Sequence, residues 1–398
     1  MNKNLKYVFW LSAITYFLQG LEGIVGQPMF VYFKKILCLS PSTIMYIGSI
    51  TGIAWLLKIL WGYLIDNYLT KRTWYFIALG ISTVLALTLG IYGFMLSVLI
   101  GILTLSSTAS AIRDVAVDGI MCVEGKKHNL CGNIQAVQWI AITIASIVVG
   151  LVGGWLATTA NYKLGFLLLI PIYAVSAVLN FKYNEPIKEK TTESGIEVLK
   201  KYKVLYKNKS FLMGCLFMFL YCYAPSFGTP LAFIQRDTFH WSEKFIGCFG
   251  AVISLCEIIG AVLYYKFSKR INVRKWLFWS VVFGAITTLC YLYYTNVSAI
   301  IYGILFATIG MVIHLILMDF TARTSIGGLE ASSFAVLCGV HNLAGTASAL
   351  SGAYLFPKIG LHPLIIVACI TSFLCLPIIK HLRLETEAKN HKVDCICR

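Results

Sequence analysis

The chain has 398 residues, of which 58% are hydrophobic and 13% charged, about half the charged share of an ordinary globular domain. Too few polar residues are present to clothe a soluble fold of this size, which excludes a soluble enzyme or binding module in favour of an all-α integral membrane protein. The net charge of +16 raises nucleic acid as a partner, but the placement of the cations excludes that reading, as shown below.

Twelve apolar windows of spanning length follow one another, near 7–31, 43–65, 74–93, 96–120, 133–156, 163–182, 211–233, 244–266, 275–294, 298–319, 332–355 and 363–381. The first is too long for a signal-peptide core and is read as a span; it carries Gln19 and Glu22. The second contains Trp55 and Lys58 and runs through Gly62 to Asp66, with Lys71 and Arg72 just beyond. Lys58 lies roughly 12 Å along the helix from Asp66, too deep for a simple boundary residue. Two readings stand: a cation that snorkels to the interface, or one that faces a cavity and meets an anionic substrate or a carboxylate, the second being favoured.

The fourth window holds Arg113, Asp114 and Asp118 in an otherwise apolar stretch. Each charge at a helix centre costs roughly 2.5–3.5 kcal/mol on insertion scales, so these groups are expected to face protein or an aqueous cavity. Asp114 and Asp118 are four apart and share a helix face, where mutual repulsion makes one of them a candidate proton carrier. Arg113 is about 100° round the helix and is free to neutralise an acid on a neighbouring span. A charge network that only holds helices together is the competing reading.

The fifth window offers Gln135, Gln138 and the stacking surface of Trp139. Residues 183–209 form the one substantial polar connection; Glu193, Glu197, Lys200 and Lys201 around Ile196, Leu199 and Leu205 suit a helix lying on the membrane surface. In the seventh window, Pro225 and Pro230 flank Gly228 and predict a broken helix. Glu257 in the eighth is a lone carboxylate near the midplane, a further coupling candidate. His314 in the tenth, and His341 with Asn342 in the eleventh, complete the polar set; for each amide, an interhelical hydrogen bond competes with ligand contact.

With the N-terminus inside, twelve spans put only Lys34, Lys35, Lys163, Arg236, Lys244 and Lys358 outside and Lys58 and Arg113 within the membrane. All remaining cations are then cytoplasmic, as is the C-terminal tail: the basic charge records topology. Thirteen cysteines show no paired metal spacing, and Cys395-Ile396-Cys397 is too short for a zinc site, so neither metal nor cofactor is expected.

The polar connection divides the chain into an N-terminal six-helix half (1–182), a cytoplasmic linker (183–209), a C-terminal six-helix half (210–382) and a tail (383–398). A weak internal repeat agrees: a shift of about two hundred residues lays 133–156 over 332–355 and brings Asp118 near Asp319. Two related halves of six spans are the layout of major facilitator transporters, whose gating motif the run Gly62, Asp66, Lys71 and Arg72 also resembles, although a simple charge cluster at a helix end would read the same way.

Larger patterns carry a closer resemblance. Tyr16 with Gln19-Gly20, Leu39-Ser40-Pro41, the series Trp55, Lys58, Gly62, Asp66, Lys71-Arg72 and Tyr75, and Asp114, Asp118 and Glu124 are similar to the folate–biopterin transporter family. Ala224-Pro225-Ser226 and Arg323, Glu330-Ala331 and Asn342 continue the match. This chain departs in carrying Ile59 where the family commonly has proline after the second-span lysine. The resemblance implies a multi-pass cell-membrane carrier of folate or pterin solutes, working by alternating access and driven by protons. On that basis Lys58, Trp55, Gln19, Gln138, Trp139 and Asn342 are expected at the substrate, Asp114, Asp118 and Glu257 in proton coupling, and Gly62, Asp66, Lys71 and Arg72 at a gate. A muropeptide permease-like carrier of the same superfamily is the near alternative; a lipid scramblase or a membrane receptor is the alternative outside transport. A membrane enzyme would need a nucleophile–base or metal grouping that the sequence does not contain.

Overall fold

The computed structural model describes residues 3–128, 131–185, 203, 205–267, 272–324, 326 and 330–382. The expected surface helix around Glu193–Lys201, the tail with Cys395 and Cys397, and the side chains of Asp66, Gln135, Arg323 and Glu330 lie outside the described residues. Every regular element among the described residues is helical, and ten helices are long and apolar enough to cross a membrane. Helices satisfy all their backbone hydrogen bonds internally, the condition a hydrocarbon environment imposes.

The chain folds into two compact units, one of residues 1–191 with 232–255, the other of residues 192–231 with 256–398. In the first, α1 (Lys3–Leu21) passes through a 3-10 turn, Glu22–Val25, into α2 (Gly26–Val31) and a π turn, Tyr32–Ile36. Then come α3 (Pro41–Leu56), α4 (Lys58–Asn67), α5 (Lys71–Ile91), α6 (Leu96–His128), α7 (Cys131–Val148), the π turn Val149–Gly153, α8 (Gly154–Ala157) and α9 (Tyr162–Lys182). α6 is the central post, packed on α1, α3, α4, α5 and α7, while α1 lies along α7 and α5 along α9. Leu11, Leu18, Tyr75, Leu89, Leu99, Ala116, Ile120 and Ile134 are fully buried among them. In lipid such contacts hold helices together through close packing, because apolar burial alone gives no preference for protein over acyl chains.

The expected second span is broken. At Leu57 the backbone turns to φ −83°, ψ 9°, ending α3 and starting α4 at Lys58. The carbonyl of Ala54, which an unbroken helix would pair with the Lys58 amide, accepts the Trp61 indole N–H at 2.9 Å. The break thus forms without a proline at residue 59; the indole stabilises it by occupying the orphaned acceptor.

Beyond α9, α10 (Lys209–Cys222) stops before the irregular residues 223–227, and α11 (Gly228–Asp237) follows, as the two prolines and Gly228 predict. Ser348 satisfies the freed amides: its hydroxyl accepts from Ala224 N–H at 3.1 Å and its carbonyl from Ser226 N–H at 2.9 Å. The second unit continues from within α12 (Glu243–Phe267) through α13 (Val273–Cys290), α14 (Asn296–Thr324), α15 (Glu330–Ile359) and α16 (Leu361–Ser372). At 30 residues α15 is long enough to span. Its Ser348 and the buried Phe217–Phe320 contact between α10 and α14 anchor this unit's core.

Within the first unit, α12 meets the π turn at glycines. A Cβ on Gly247 would stand 2.2 Å from the Gly150 carbonyl oxygen and 2.5 Å from Gly154 Cα, so only glycine permits this approach. Gly247→Leu is therefore expected to lower the thermal midpoint of the purified protein, with an overpacking cost of about 1–3 kcal/mol. Gly250→Leu is the control, because open space surrounds its Cβ position. Equal midpoints for the two variants would contradict the packing argument.

Candidate functional site

Polar side chains converge on one stretch of α6. Ser110, Arg113, Asp114 and Asp118 cover two turns, roughly 12 Å of helix. Arg113 is 2% exposed and pairs through Nη2 with Glu22 at the end of α1, its guanidinium 5.3 Å from the centroid of the Tyr173 ring. The same glutamate accepts from Ser110 Oγ at 2.6 Å and from Tyr173 Oη at 3.0 Å. Beneath it, Tyr75 bonds Thr15 at 2.7 Å and also Ser176, knitting α1, α5 and α9 together. Three donors around one carboxylate stabilise its charge at a depth where an unpaired ion would be costly.

One residue further on, Asp114 receives Lys58 Nζ at 2.6 Å. Lys58 also stands 4.6 Å above the ring of Trp55, a cation–π contact. The two partners differ in access: the Lys58 side chain is 23% exposed and that of Asp114 is 3%. Asp118, one turn along, accepts from Tyr16 Oη at 2.9 Å and from Gln138 Nε2 at 3.3 Å. The two aspartates share a helix face, as their spacing requires, but each has its own partners from different helices.

The other expected residues fall at varied places. Gln19 sits on α1 between Tyr16 and Glu22, its Oε1 buried without a hydrogen-bond partner among the described residues. Trp139 is 42% exposed, and its carbonyl accepts from Thr143. At the expected gate, Gly62 has Val115 Cγ1 within 3.9 Å of its Cβ position, while the Asp66 side chain is outside the described set. Arg72 donates to the Phe181 carbonyl at 2.8 Å and lies over the Phe76 and Phe181 rings. The Lys71 and Arg72 amides donate to the Glu185 carboxylate at 3.1 and 2.8 Å, an acid placed at the positive end of α5. In the second unit, Asn342 Oδ1 lies 3.5 Å from His341 Nδ1, and Glu257 is half-buried with no hydrogen bond or ion pair among the described residues.

Two features exceed the sequence reading. Glu22 is an anchor of the α6 cluster, though in the sequence it is one polar residue of several in the first window; its signal was the unmatched Arg113. The second is another charged cluster within the first unit. Arg236 and Glu243 face each other across the turn between α11 and α12, bonded Nε to Oε1 at 3.0 Å and Nη2 to Oε2 at 2.9 Å, both 5–6% exposed. Gln27 of α2 donates to Glu243 Oε2 at 3.0 Å and to its carbonyl at 2.8 Å. Arg236 covers the Phe30 ring at 4.4 Å, Phe30 meets Phe233 edge-on, and Lys34 pairs with Asp237. A bidentate pair of this kind resists separation because breaking it strands two desolvated ions.

Among the described residues no group of His, Cys, Asp or Glu is placed to hold a metal ion. The α6 cluster can bind and orient a charged solute or move a proton.

Similarity to known proteins agrees with a carrier. A folate-biopterin transporter from Synechocystis sp. is 24% identical over 91% of this chain and 79% of its own length. A probable folate-biopterin transporter from Arabidopsis thaliana is 23% identical over 88% of this chain and 89% of its own. Among solved structures, a D-xylose-proton symporter superposes with a TM-score of 0.74 at 12% identity, covering 94% of this chain and 97% of that one. The nucleoside transporter NupG superposes with a TM-score of 0.70 at 16% identity, covering 94% and 98%. The sequence model of the Major Facilitator Superfamily matches residues 12–329, most of the chain: this protein is a member of the Major Facilitator Superfamily.

Proposed function

We propose that this protein carries folate- or pterin-type solutes across the cell membrane by alternating access, coupled to protons. The reading has twelve spans in two six-helix halves, 1–182 and 210–382, with the linker 183–209, the tail 383–398 and both termini in the cytoplasm. The observation that carries the reading is the Lys58–Asp114 pair: a cation 23% exposed held by a buried acid, suited to an anionic solute. Relatives named as folate or folate-biopterin transporters support the substrate class. Trp55, Gln19, Gln138, Trp139 and Asn342 supply ring and amide contacts, and Glu257 is a second coupling candidate beside Asp114 and Asp118. Gly62, Asp66, Lys71 and Arg72 gate the cytoplasmic side, and the Arg236–Glu243–Gln27 cluster closes the opposite one.

Uptake of labelled folate and pterins into proteoliposomes tests this directly. Accumulation driven by an inward proton gradient is expected. Uptake that ignores the gradient removes the coupling, and no uptake of any pterin removes the substrate class.

Asp118 is the more exposed of the two aspartates and is held by neutral donors, so it can exchange a proton without stranding a buried cation. Asp118→Asn is expected to abolish gradient-driven accumulation while leaving counterflow exchange at a substantial fraction of the parent rate. Undiminished accumulation in this variant takes Asp118 out of the mechanism.

A further inference from the structure

Asp118 is held at one oxygen only. Tyr16 Oη donates to its Oδ1 at 2.9 Å, and Gln138 Nε2 donates to the same atom at 3.3 Å. Among the described residues no donor reaches Oδ2. The side chain is half-buried, whereas Asp114 one turn away is 2% exposed. Protein thus fixes one oxygen of Asp118 and leaves the other for a proton.

The two donors come from helices that hold each other. A Cβ on Gly20, one turn from Tyr16, would stand 2.8 Å from Ala145 Cβ and 3.0 Å from the carbonyl oxygen of Ile142, itself one turn from Gln138. α1 and α7 therefore meet closely beside the donors, and Gln138 is 1% exposed. Both donors are neutral, so a proton arriving at Asp118 strands no buried cation.

The charges nearby have other partners or other directions. On α6 itself, Asp114 is held by Lys58 of α4, Arg113 by Glu22 of α1, and Glu124 lies near His128. α4 also carries Asp66, whose side chain is outside the described residues. From α5, the Lys71 stem crosses α6 at Gly119, its Cε 2.6 Å from the Cβ position there. Arg72 turns to the Phe181 carbonyl, and the Tyr75 hydroxyl bonds Thr15 and Ser176. α3 and α7 bring no charged side chain. Tyr16 is the one titratable group bonded to the Asp118 carboxylate among the described residues.

We propose that Tyr16 is the positioning residue of proton coupling: its hydroxyl pins Asp118 Oδ1, so that the proton comes and goes at Oδ2. This rests on the coupling reading above and deepens it. A hydrogen bond donated to a carboxylate favours the ionised form, so Tyr16 assists release of the proton that the acid has taken up. Without that donor Asp118 keeps its proton to higher pH, and uptake driven by external acid persists to higher pH with it.

The test uses purified full-length protein in proteoliposomes and follows the infrared carboxyl C=O stretch of Asp118 against pH, the band being identified by its loss in Asp118→Asn. Tyr16→Phe, which removes a single oxygen, is expected to move the midpoint of that band up by about one pH unit, the size of one hydrogen bond to a charged group. The pH profile of folate uptake should move with it. Incorporation of a ring-fluorinated tyrosine at Tyr16, a stronger donor of nearly the same shape, should move both midpoints down, and it decides the matter if Tyr16→Phe fails to fold. Midpoints unmoved by either replacement, even with a lower uptake rate, make Tyr16 a structural residue and overturn the proposal while proton coupling stands. A parent protein whose uptake ignores the proton gradient overturns the coupling reading and the role of Tyr16 with it.

Discussion

Arg113→Met is expected to destabilise the protein by about 3–5 kcal/mol, the cost of stranding one member of a buried ion pair. The guanidinium is 2% exposed, and Glu22 depends on it for its one cationic partner among three donors. With the arginine gone, Glu22 keeps the Ser110 and Tyr173 hydroxyls but has no positive charge, and the Tyr173 ring loses the cation lying against it. The measurement is the thermal midpoint of detergent-solubilised protein, which should fall by several degrees. Glu22→Gln in the same background should recover part of the loss, because the variant then buries no unpaired ion. A midpoint unchanged by Arg113→Met alone would mean that water or lipid, not Arg113, neutralises Glu22.

The second large effect concerns transport. Lys58→Met is expected to reduce folate uptake at least tenfold, or about 1.4 kcal/mol or more of lost recognition. It also leaves Asp114 buried without its cation, so a fall in uptake by itself does not separate binding from folding. The double variant Lys58→Met/Asp114→Leu does separate them, because it removes both charges and fills the space with apolar side chains. Its thermal midpoint should return close to that of the parent, while folate uptake stays lost. Restored uptake in the double variant would show that the pair is a structural brace, the bland reading that the sequence left open. Biopterin, which has no carboxylate, gives the internal comparison: its uptake should suffer less than that of folate in both variants.

Much of this protein is legible before any coordinates. Long apolar windows lead to helices because lipid leaves the backbone no other economical way to satisfy its amides and carbonyls. Pro225, Gly228 and Pro230 announce the break between α10 and α11 through local stereochemistry, and charged residues inside apolar windows announce the cluster on α6 through their energetic cost. Among the described residues ten helices meet the length and composition expected of spans, and the seventh window is divided into α10 and α11.

What the sequence does not encode is partnership. The spacing of Asp114 and Asp118 suggests a facing pair, but Lys58 claims one and Tyr16 with Gln138 the other. Arg113 stands beside Asp114 in the chain and pairs with Glu22, ninety-one residues away. The break at Leu57 arises without proline, because an indole from the next turn stabilises it. Arg236, Glu243 and Gln27 form one network from positions that no motif links.

The physical reason is the same in each case. Apolarity, length and helix-breaking residues are local properties, so composition alone determined that this is a helical membrane protein with costly charges in a few known places. Which charge meets which depends on the rotation and register of each helix against its neighbours. Spans that are apolar nearly all round carry no stripe to set that rotation. Close packing around α6, Gly247 against Gly150 and the pairing of desolvated ions set it, and only the tertiary structure decided those.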